Sequence, residues 1–378
     1  MDRYSRHNLI DWFSQEEVSR RSLCIIGAGA VGNEIIKSLV LLGVGKVAIY
    51  DFDIIEEHNL TKSVLFRSAD VGKSKAEVAS LRASELDPNV EVSFEHGDAL
   101  ALLSVLDIRR FDCVISCVDN FEARLKLNEM CRIAGVDFVN LGIDSRYASV
   151  EVFPFSFGSG VACYECNLPP SVYGRISERY SCGYLKKISI SERKIPTTIV
   201  TSGLAGSLGA SVALRLGHNK SEVGRRILID SIRGHSTVTS ELEKNADCPC
   251  CSSFLGNFIC VPVSKSGRDA GCLAGLIGNE GLLDTYMRLS EPIVVSATCV
   301  QCETSPYSGK LVGRAQSEVD ESARYCSECA SASVNLSFKQ EFTVKEFSDF
   351  FSRRTVPVSY AVAELDGQSY CFSFERDV

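Results

Sequence analysis

Two sets of residues in this chain are spaced for chemistry. The first is cysteine. Eight of the 17 cysteines fall into four C-x-x-C pairs, Cys163/Cys166, Cys248/Cys251, Cys299/Cys302 and Cys326/Cys329. Each pair offers half of a tetrahedral thiolate site, so four pairs suggest two closed zinc centres rather than four redox pairs. For the second set of four, a redox pair or unliganded thiols stay open as readings. Neither set offers an open coordination position, which argues against catalytic zinc. Cys24, Cys113, Cys117 and Cys131 sit in apolar surroundings and read as core residues. Cys250, inside its pair, is a spare thiol or an alternative ligand.

The second set surrounds a glycine turn. Gly27-Ala28-Gly29-Ala30-Val31-Gly32 follows an apolar run and is followed in turn by Asp51 and Asp53. Gly27 permits the tight turn, Gly29 lets the backbone approach a pyrophosphate, Gly32 lets helix and strand pack closely, and a carboxylate about twenty residues on holds a ribose. Alone, the pattern defaults to an NAD- or FAD-dependent oxidoreductase, with ATP as the alternative. The next segment, with Asn59, Lys62, Arg67, Lys73 and Lys75, carries positive charge that could neutralise a triphosphate. Its plainer reading is a solvated loop leading into a helix. No histidine or tyrosine arrangement for hydride chemistry stands out. Asp119 and Asn120 close another apolar strand, where Asp119 either caps the next helix or faces the nucleotide. Arg124 and Asn128 then share one face of that helix. Arg6, in the opening arm with Arg3 and Trp12, reads by itself as a surface arginine.

These residues need a scaffold that alternates strand and helix. Strands are predicted at Leu23 to Ile26, Val47 to Tyr50, Glu91 to Phe94, Asp112 to Asp119 and Phe138 to Leu141. Helices are predicted up to about Leu42, then over Lys73 to Leu86, Leu100 to Leu106 and Glu122 to Ala134. An antiparallel strand follows at Ser149 to Phe157, a crossover loop at Leu168 to Pro196, a small-residue helix at Thr197 to Leu216 and a strand at Ile227 to Ile232. The fold class is α/β, a Rossmann-like doubly wound mixed sheet with a zinc clip, over residues 1–251. Residues 252–378 change texture, with a small-residue stretch at Gly271 to Leu283 and strands at Val334 to Phe347 and Tyr360 to Glu375. They read as a C-terminal β-rich zinc-containing module that could offer an edge or groove to a peptide.

The net charge of −8 is interspersed, so nothing favours a nucleic-acid or membrane partner. Charge in MDRYSRHNLIDWF argues against a signal peptide, and no apolar run approaches a membrane span. Residence in the cytoplasm is the expectation.

RYSRH at 3–7, GAGAVG at 27–32, DFD at 51–53, HNLTKS at 58–63, VGKSKAE at 71–77, SCVDN at 116–120 and the paired cysteines at 163 and 248 occur in an order that resembles one family. It is that of the adenylating enzymes of the ubiquitin-activating superfamily. The resemblance is closest to the bacterial molybdopterin-synthase and thiamine-thiocarboxylate adenylyltransferases, with members that modify ribosomally made peptides, of microcin or pantocin type, as a neighbouring branch. It covers about residues 2 to 251. It implies that Gly27, Gly29, Ala30 and Gly32 cradle ATP and that Asp51 and Asp53 hold the ribose or take part in the nucleotide site. Asn59, Lys62 and Lys75 would meet the phosphates, and Asp119 with Asn120 would stand at the nucleotide, Asp119 positioning Mg²⁺. Arg6 would reach a triphosphate, in many members across a homodimer interface. The catalytic set implied is Asp119, Lys75, Asn59, Arg6 and Lys62. The family usually has arginine at Lys62, so this chain keeps the charge and loses the bidentate fork. Cys163, Cys166, Cys248 and Cys251 match the family's structural zinc. The implied partner is a peptide or small carrier protein whose carboxylate becomes an acyl-adenylate, with sulfur-carrier activation for molybdopterin or thiamine synthesis as the alternative. Cys182 is the one unpaired thiol in the crossover loop; its plainer reading is a structural or incidental cysteine, and otherwise it is a candidate for a thioester step. Without one, an amine, an amide nitrogen or an external sulfur donor would attack the adenylate.

Overall fold

The computed structural model describes residues 3–158, 160–169, 171–172, 197–216, 224–233, 236–252, 256–264, 267–305 and 310–375. Most of the expected crossover, with Cys182, lies outside them. Two compact units form, the first from the bulk of the chain before residue 255 and the second mainly from residues 255–378.

The first unit is a mixed sheet of eight strands: β1 (Ser22–Ile26), β2 (Lys46–Asp51), β3 (Glu91–His96), β4 (Cys113–Ser116), β5 (Asp137–Ile143), β6 (Tyr147–Phe153), β7 (Arg225–Asp230) and β8 (Thr237–Glu241). Their order is β3-β2-β1-β4-β5-β6-β7-β8. Strands β3 to β5 along that order are parallel, and β6, β7 and β8 add on antiparallel. Parallel strands are covered on both faces and so read as unbroken apolar runs, as Leu23 to Ile26 and Cys113 to Ser116 do, every one of them buried. The order reverses between β1 and β4, which opens the crevice where ligands of such sheets bind.

Helices α1 (Ala30–Leu41), α2 (Lys75–Leu86), α3 (Phe121–Ala134) and α4 (Ile199–Arg215) complete the layers. The glycines of α4 have a local cause. A Cβ at Gly206 would sit 2.5 Å from Glu34 Cβ, and one at Gly209 2.8 Å from Leu141. The close partner of this small-residue helix is therefore α1 and β5 of its own chain. The helix predicted over Leu100 to Leu106 is instead two single turns, Ala99–Leu102 and Val105–Ile108, because Leu103 is extended (φ −92°, ψ 134°) and buried. The strand predicted to run to Phe157 stops at Phe153, ahead of Pro154, which has no N–H to pair.

The second unit is a five-stranded sheet of β9 (Phe258–Val263), β10 (Tyr286–Cys299), β11 (Val334–Thr343), β12 (Tyr360–Leu365) and β13 (Gln368–Phe374) in the order β11-β10-β12-β13-β9. Only the β13/β9 pair is parallel. Helices α5 (Ala270–Ile277) and α6 (Val344–Phe351) cover an apolar core that includes Met287, Leu289, Phe347 and Phe372. The strand predicted to reach Phe347 ends at Thr343. Thr343 accepts from the Glu346 N–H while Glu346 accepts from the Thr343 N–H, and this capping box starts α6. No helix among the described residues is long and apolar enough to cross a membrane.

Candidate nucleotide site and cysteine centres

Strand β1 runs into the glycine loop at the crevice. Gly27 N donates to Tyr50 O (2.8 Å) and Cys117 N donates to Ile26 O (2.8 Å), which fixes the loop between β2 and the end of β4. Gly27 has φ +98°, and a Cβ there would meet Cys117 O at 3.0 Å. At Gly32 a Cβ would stand 2.0 Å from Gly27 O. Nothing lies within 4 Å of the place a Gly29 Cβ would take, so the loop faces open space there. Gly29 caps α1 without a side chain, and no side-chain acceptor claims the helix's first N–H groups at its cap. That is the construction of an anion site.

The carboxylates divide their work. Asp51 accepts from Ala28 N (2.6 Å) and Asp53 N (2.7 Å), tying the glycine loop to the end of β2. Burial pushes its carboxyl up, against the pull of those two N–H groups. Asp53 is half exposed and pairs with Lys75 Nζ at 2.7 Å, while Lys75 N donates to Asp53 O at 3.0 Å. The intervening segment doubles back to make this contact, with Ile55 N on Lys73 O and Gly72 N on Ile55 O, both 2.8 Å. Lys75, at the start of α2, is thereby buried beside Asp53 at the end of β2. Lys73 pairs with Asp70 (3.0 Å), and Arg67 donates to Val64 O and Phe66 O. These two cations brace their own loop.

Asn59 is buried in its own turn, with Oδ1 accepting from Glu56 N (2.9 Å) and Nδ2 meeting His58 Nε2 (3.1 Å). Lys62 Nζ donates to Thr197 Oγ1 (2.9 Å), just ahead of α4. Of the pair after β4, Asn120 is the helix cap, its Oδ1 accepting from Ala123 N at 2.8 Å, and Asp119 is exposed. Arg6 is exposed on an arm that is itself pinned: Arg3 and Tyr4 both bond the buried Asp87, the Tyr4 ring covers Gly43, and Gln15 donates to Leu42 O. The structure thus joins Ala28, Asp51, Asp53 and Lys75 through direct bonds, with Gly27 held on Tyr50 O beside them. Asp119 and Asn120 stand beyond the neighbouring strand end.

Both cysteine sets converge. The Sγ atoms of Cys163, Cys166, Cys248 and Cys251 lie within 4.8 Å of one another and all four residues are buried; those of Cys299, Cys302, Cys326 and Cys329 meet the same limit. Contacts of 3.6 Å (Cys163 to Cys248), 3.5 Å (Cys166 to Cys251), 3.7 Å (Cys299 to Cys329) and 3.6 Å (Cys302 to Cys326) are far longer than a disulfide. Sulfurs arranged tetrahedrally at about 2.3 Å from zinc stand about 3.8 Å apart, so both sets fit that ion. Cys250 is not part of the four; its Sγ accepts from Asn128 Nδ2 at 3.6 Å.

Residues 4–250 match the profile of the ThiF family. The chain belongs to the ThiF family. As a ThiF-family member it is an adenylyltransferase of the ubiquitin-activating type. It is 31% identical over 260 residues to the sulfur carrier protein adenylyltransferase of Thermus thermophilus, across 66% of this chain and 90% of that protein. It is 27% identical over 298 residues to ubiquitin-like modifier-activating enzyme 5 of Oryza sativa subsp. japonica, across 74% of this chain and 66% of that protein. Among solved structures, Escherichia coli MccB with ATP superposes with a TM-score of 0.54 at 22% identity, over 66% of this chain and 73% of that one. At that identity the likeness is one of fold. The family resemblance drawn from the motifs is borne out, as is the fold class, and the bare glycine loop's default of an oxidoreductase gives way to adenylate chemistry.

Three ThiF-domain residues that bind this site together escaped sequence reasoning in their roles. Asn33 Nδ2 donates to Ala28 O (2.7 Å) and Gly29 O (3.0 Å) while its Oδ1 accepts from Leu65 N (2.9 Å), clamping the glycine loop to the following cationic segment. The signal was an asparagine inside an apolar helix run. Arg124 donates to Val118 O (2.7 Å) and Leu141 O (3.2 Å), holding the ends of β4 and β5. Asn128, one turn on, accepts from Tyr164 N at 2.8 Å and so touches both halves of the first cysteine centre.

Proposed function

We propose that this protein adenylates the C-terminal carboxylate of a peptide or small protein with ATP, in the maturation of a ribosomally made peptide. A carboxylate oxygen attacks the α-phosphorus, an acyl–phosphate bond forms, the bond to the β-phosphate breaks, and pyrophosphate leaves. The nucleophile is already anionic, so the residues align groups and compensate charge without a general base. The observation that carries this reading is Lys75 buried on Asp53 beside the glycine loop: a cation fixed at the ribose carboxylates suits a triphosphate.

In this reading the glycine loop and the start of α1 take phosphate oxygens, and Asp53 serves the ribose. Lys75, Asn59 and Lys62 meet the phosphates, Asp119 positions Mg²⁺, and Arg6 acts across a homodimer. Zinc in the two cysteine centres is structural. The chain works in the cytoplasm, and residues 252–378 form a separate domain that recognises the substrate. MccB, solved with N-formylated MccA, lends the peptide reading support at the level of fold. The Thermus thermophilus relative favours a second reading, activation of a sulfur-carrier protein. ATP–pyrophosphate exchange against candidate peptides and diglycine-ended carriers, with mass analysis of the product, separates them. Exchange with neither class would overturn both.

A further inference from the structure

Arg132 lies in the last turn of α3 with only 7% of its surface exposed, and none of its three guanidinium nitrogens has a hydrogen-bond partner among the described residues. A buried arginine is always charged, and without a counter-charge its desolvation costs several kcal/mol. Asn128 stands one turn earlier on the same helix and reaches both knuckles of the first cysteine centre, through Tyr164 N and Cys250 Sγ. Four residues apart, Arg132 and Asn128 share one face of α3, the face whose Asn128 meets the cysteine knuckles. Four thiolates around one divalent zinc carry a net charge of −2, here in fully buried surroundings.

The second centre handles the same charge differently. Thr304 and Ser333 place hydroxyls 3.0 Å from Cys302 Sγ and 3.2 Å from Cys299 Sγ, Ser331 lies 2.9 Å from Cys329 Sγ, and Glu328 N donates to Cys326 Sγ at 3.4 Å. It has hydroxyls and partial exposure, whereas the first centre is buried throughout and has Cys163 N on Cys166 Sγ at 3.4 Å, with no hydroxyl on its sulfurs among the described residues.

We propose that Arg132 is the counter-ion of the zinc tetrathiolate formed by Cys163, Cys166, Cys248 and Cys251, a positioning residue that fixes the metal by charge. This rests on zinc occupying that set. The test monitors zinc release from the full-length protein to a chromogenic chelator. The expectation is two zinc ions per chain and two phases, the fast one removed by Cys329→Ser. Arg132→Met should speed the slow phase about 10-fold or more and leave the fast phase unchanged, while Arg132→Lys stays close to wild type. Thermal melts add a change of sign. With zinc bound, Arg132→Met melts below wild type; after chelation it melts above, because no metal then holds four thiolates together and the arginine is an unpaired buried charge. A role in packing alone would lower both melts, and that result, or an unchanged slow phase, overturns the proposal. Should Arg132→Met not fold, Arg132→Lys decides: slow release at the wild-type rate supports the charge role, and a 10-fold faster slow phase overturns it. A wild-type protein holding zinc only in the phase that Cys329→Ser removes would overturn the zinc reading of the first set, and the counter-ion with it, by a visibly different result.

Discussion

Lys75 is a buried cation held by a direct bond to Asp53, which is itself tied through Asp51 to the glycine loop, and its substitution tests the site most directly. Lys75→Met is expected to lower ATP–pyrophosphate exchange by about 100-fold or more, with circular dichroism unchanged. Asp119→Asn should cause a comparable loss with no shift in melting temperature, because that side chain is exposed; full exchange in the variant would remove Asp119 from the site. The glycines separate fold from function. Gly32→Ala pushes a methyl into Gly27 O and should cost about 3 kcal/mol in a urea titration. Gly29→Ala meets no protein atom, so it should cost under about 1 kcal/mol while raising the KM for ATP. At this scale the glycine loop was legible because each glycine answers a steric demand visible in the spacing. The choice between Asp119 and Asn120 as helix cap was not, since both side chains cap equally well and only the backbone trace says which stands at the right N–H.

At the scale of elements, β6 and β7 are held at one end by Arg146 and Asp230. The guanidinium, joined by the N–H groups of Ile232 and Arg233, holds the Asp230 carboxyl well below the usual carboxylate range. A carboxyl whose native value is depressed stabilises the fold fully above its unfolded value of about 3.9, and that stabilisation is lost as pH falls through the native value. Wild type should therefore melt above Asp230→Asn at pH 7, with the gap narrowing below about pH 4. In the second unit, Thr343→Ala removes one arm of the capping box and should cost about 1 kcal/mol in a denaturant titration of α6's unit. The T-x-x-E spacing of Thr343 and Glu346 was there to be read as a helix start, yet the aromatic run behind it looked like strand. Strands β1, β2, β4 and β5 were legible as apolar runs between glycines and carboxylates. Strand β10 was not: it carries Pro292 within its length, and its register with β11 slips between Arg288 and Ile293 and again between Val294 and Ser296. Strand β8 is exposed along its whole length, which leaves no apolar alternation to detect.

At the scale of the whole molecule, each compact unit carries one closed cysteine centre. Two thermal transitions are expected, each lowered by a chelator, and a single transition insensitive to metal would contradict two zinc-supported domains. The cysteine pairs announced these centres by spacing alone, whereas the proposed counter-charge, Arg132, comes from a helix far earlier in the chain, and the hydroxyls of Thr304, Ser331 and Ser333, close as they are to Cys302 and Cys329 in sequence, follow no metal-site spacing. The first centre also joins Cys163 and Cys166 to Cys248 and Cys251, so everything between Asn167 and Asp247 leaves from a fixed point and returns to it. With zinc in place the chain is, in effect, a ring along that stretch. One protease cut inside it would open the ring without releasing either piece, and the nicked protein would run as one species on a sizing column in mild denaturant and as two once the metal is withdrawn.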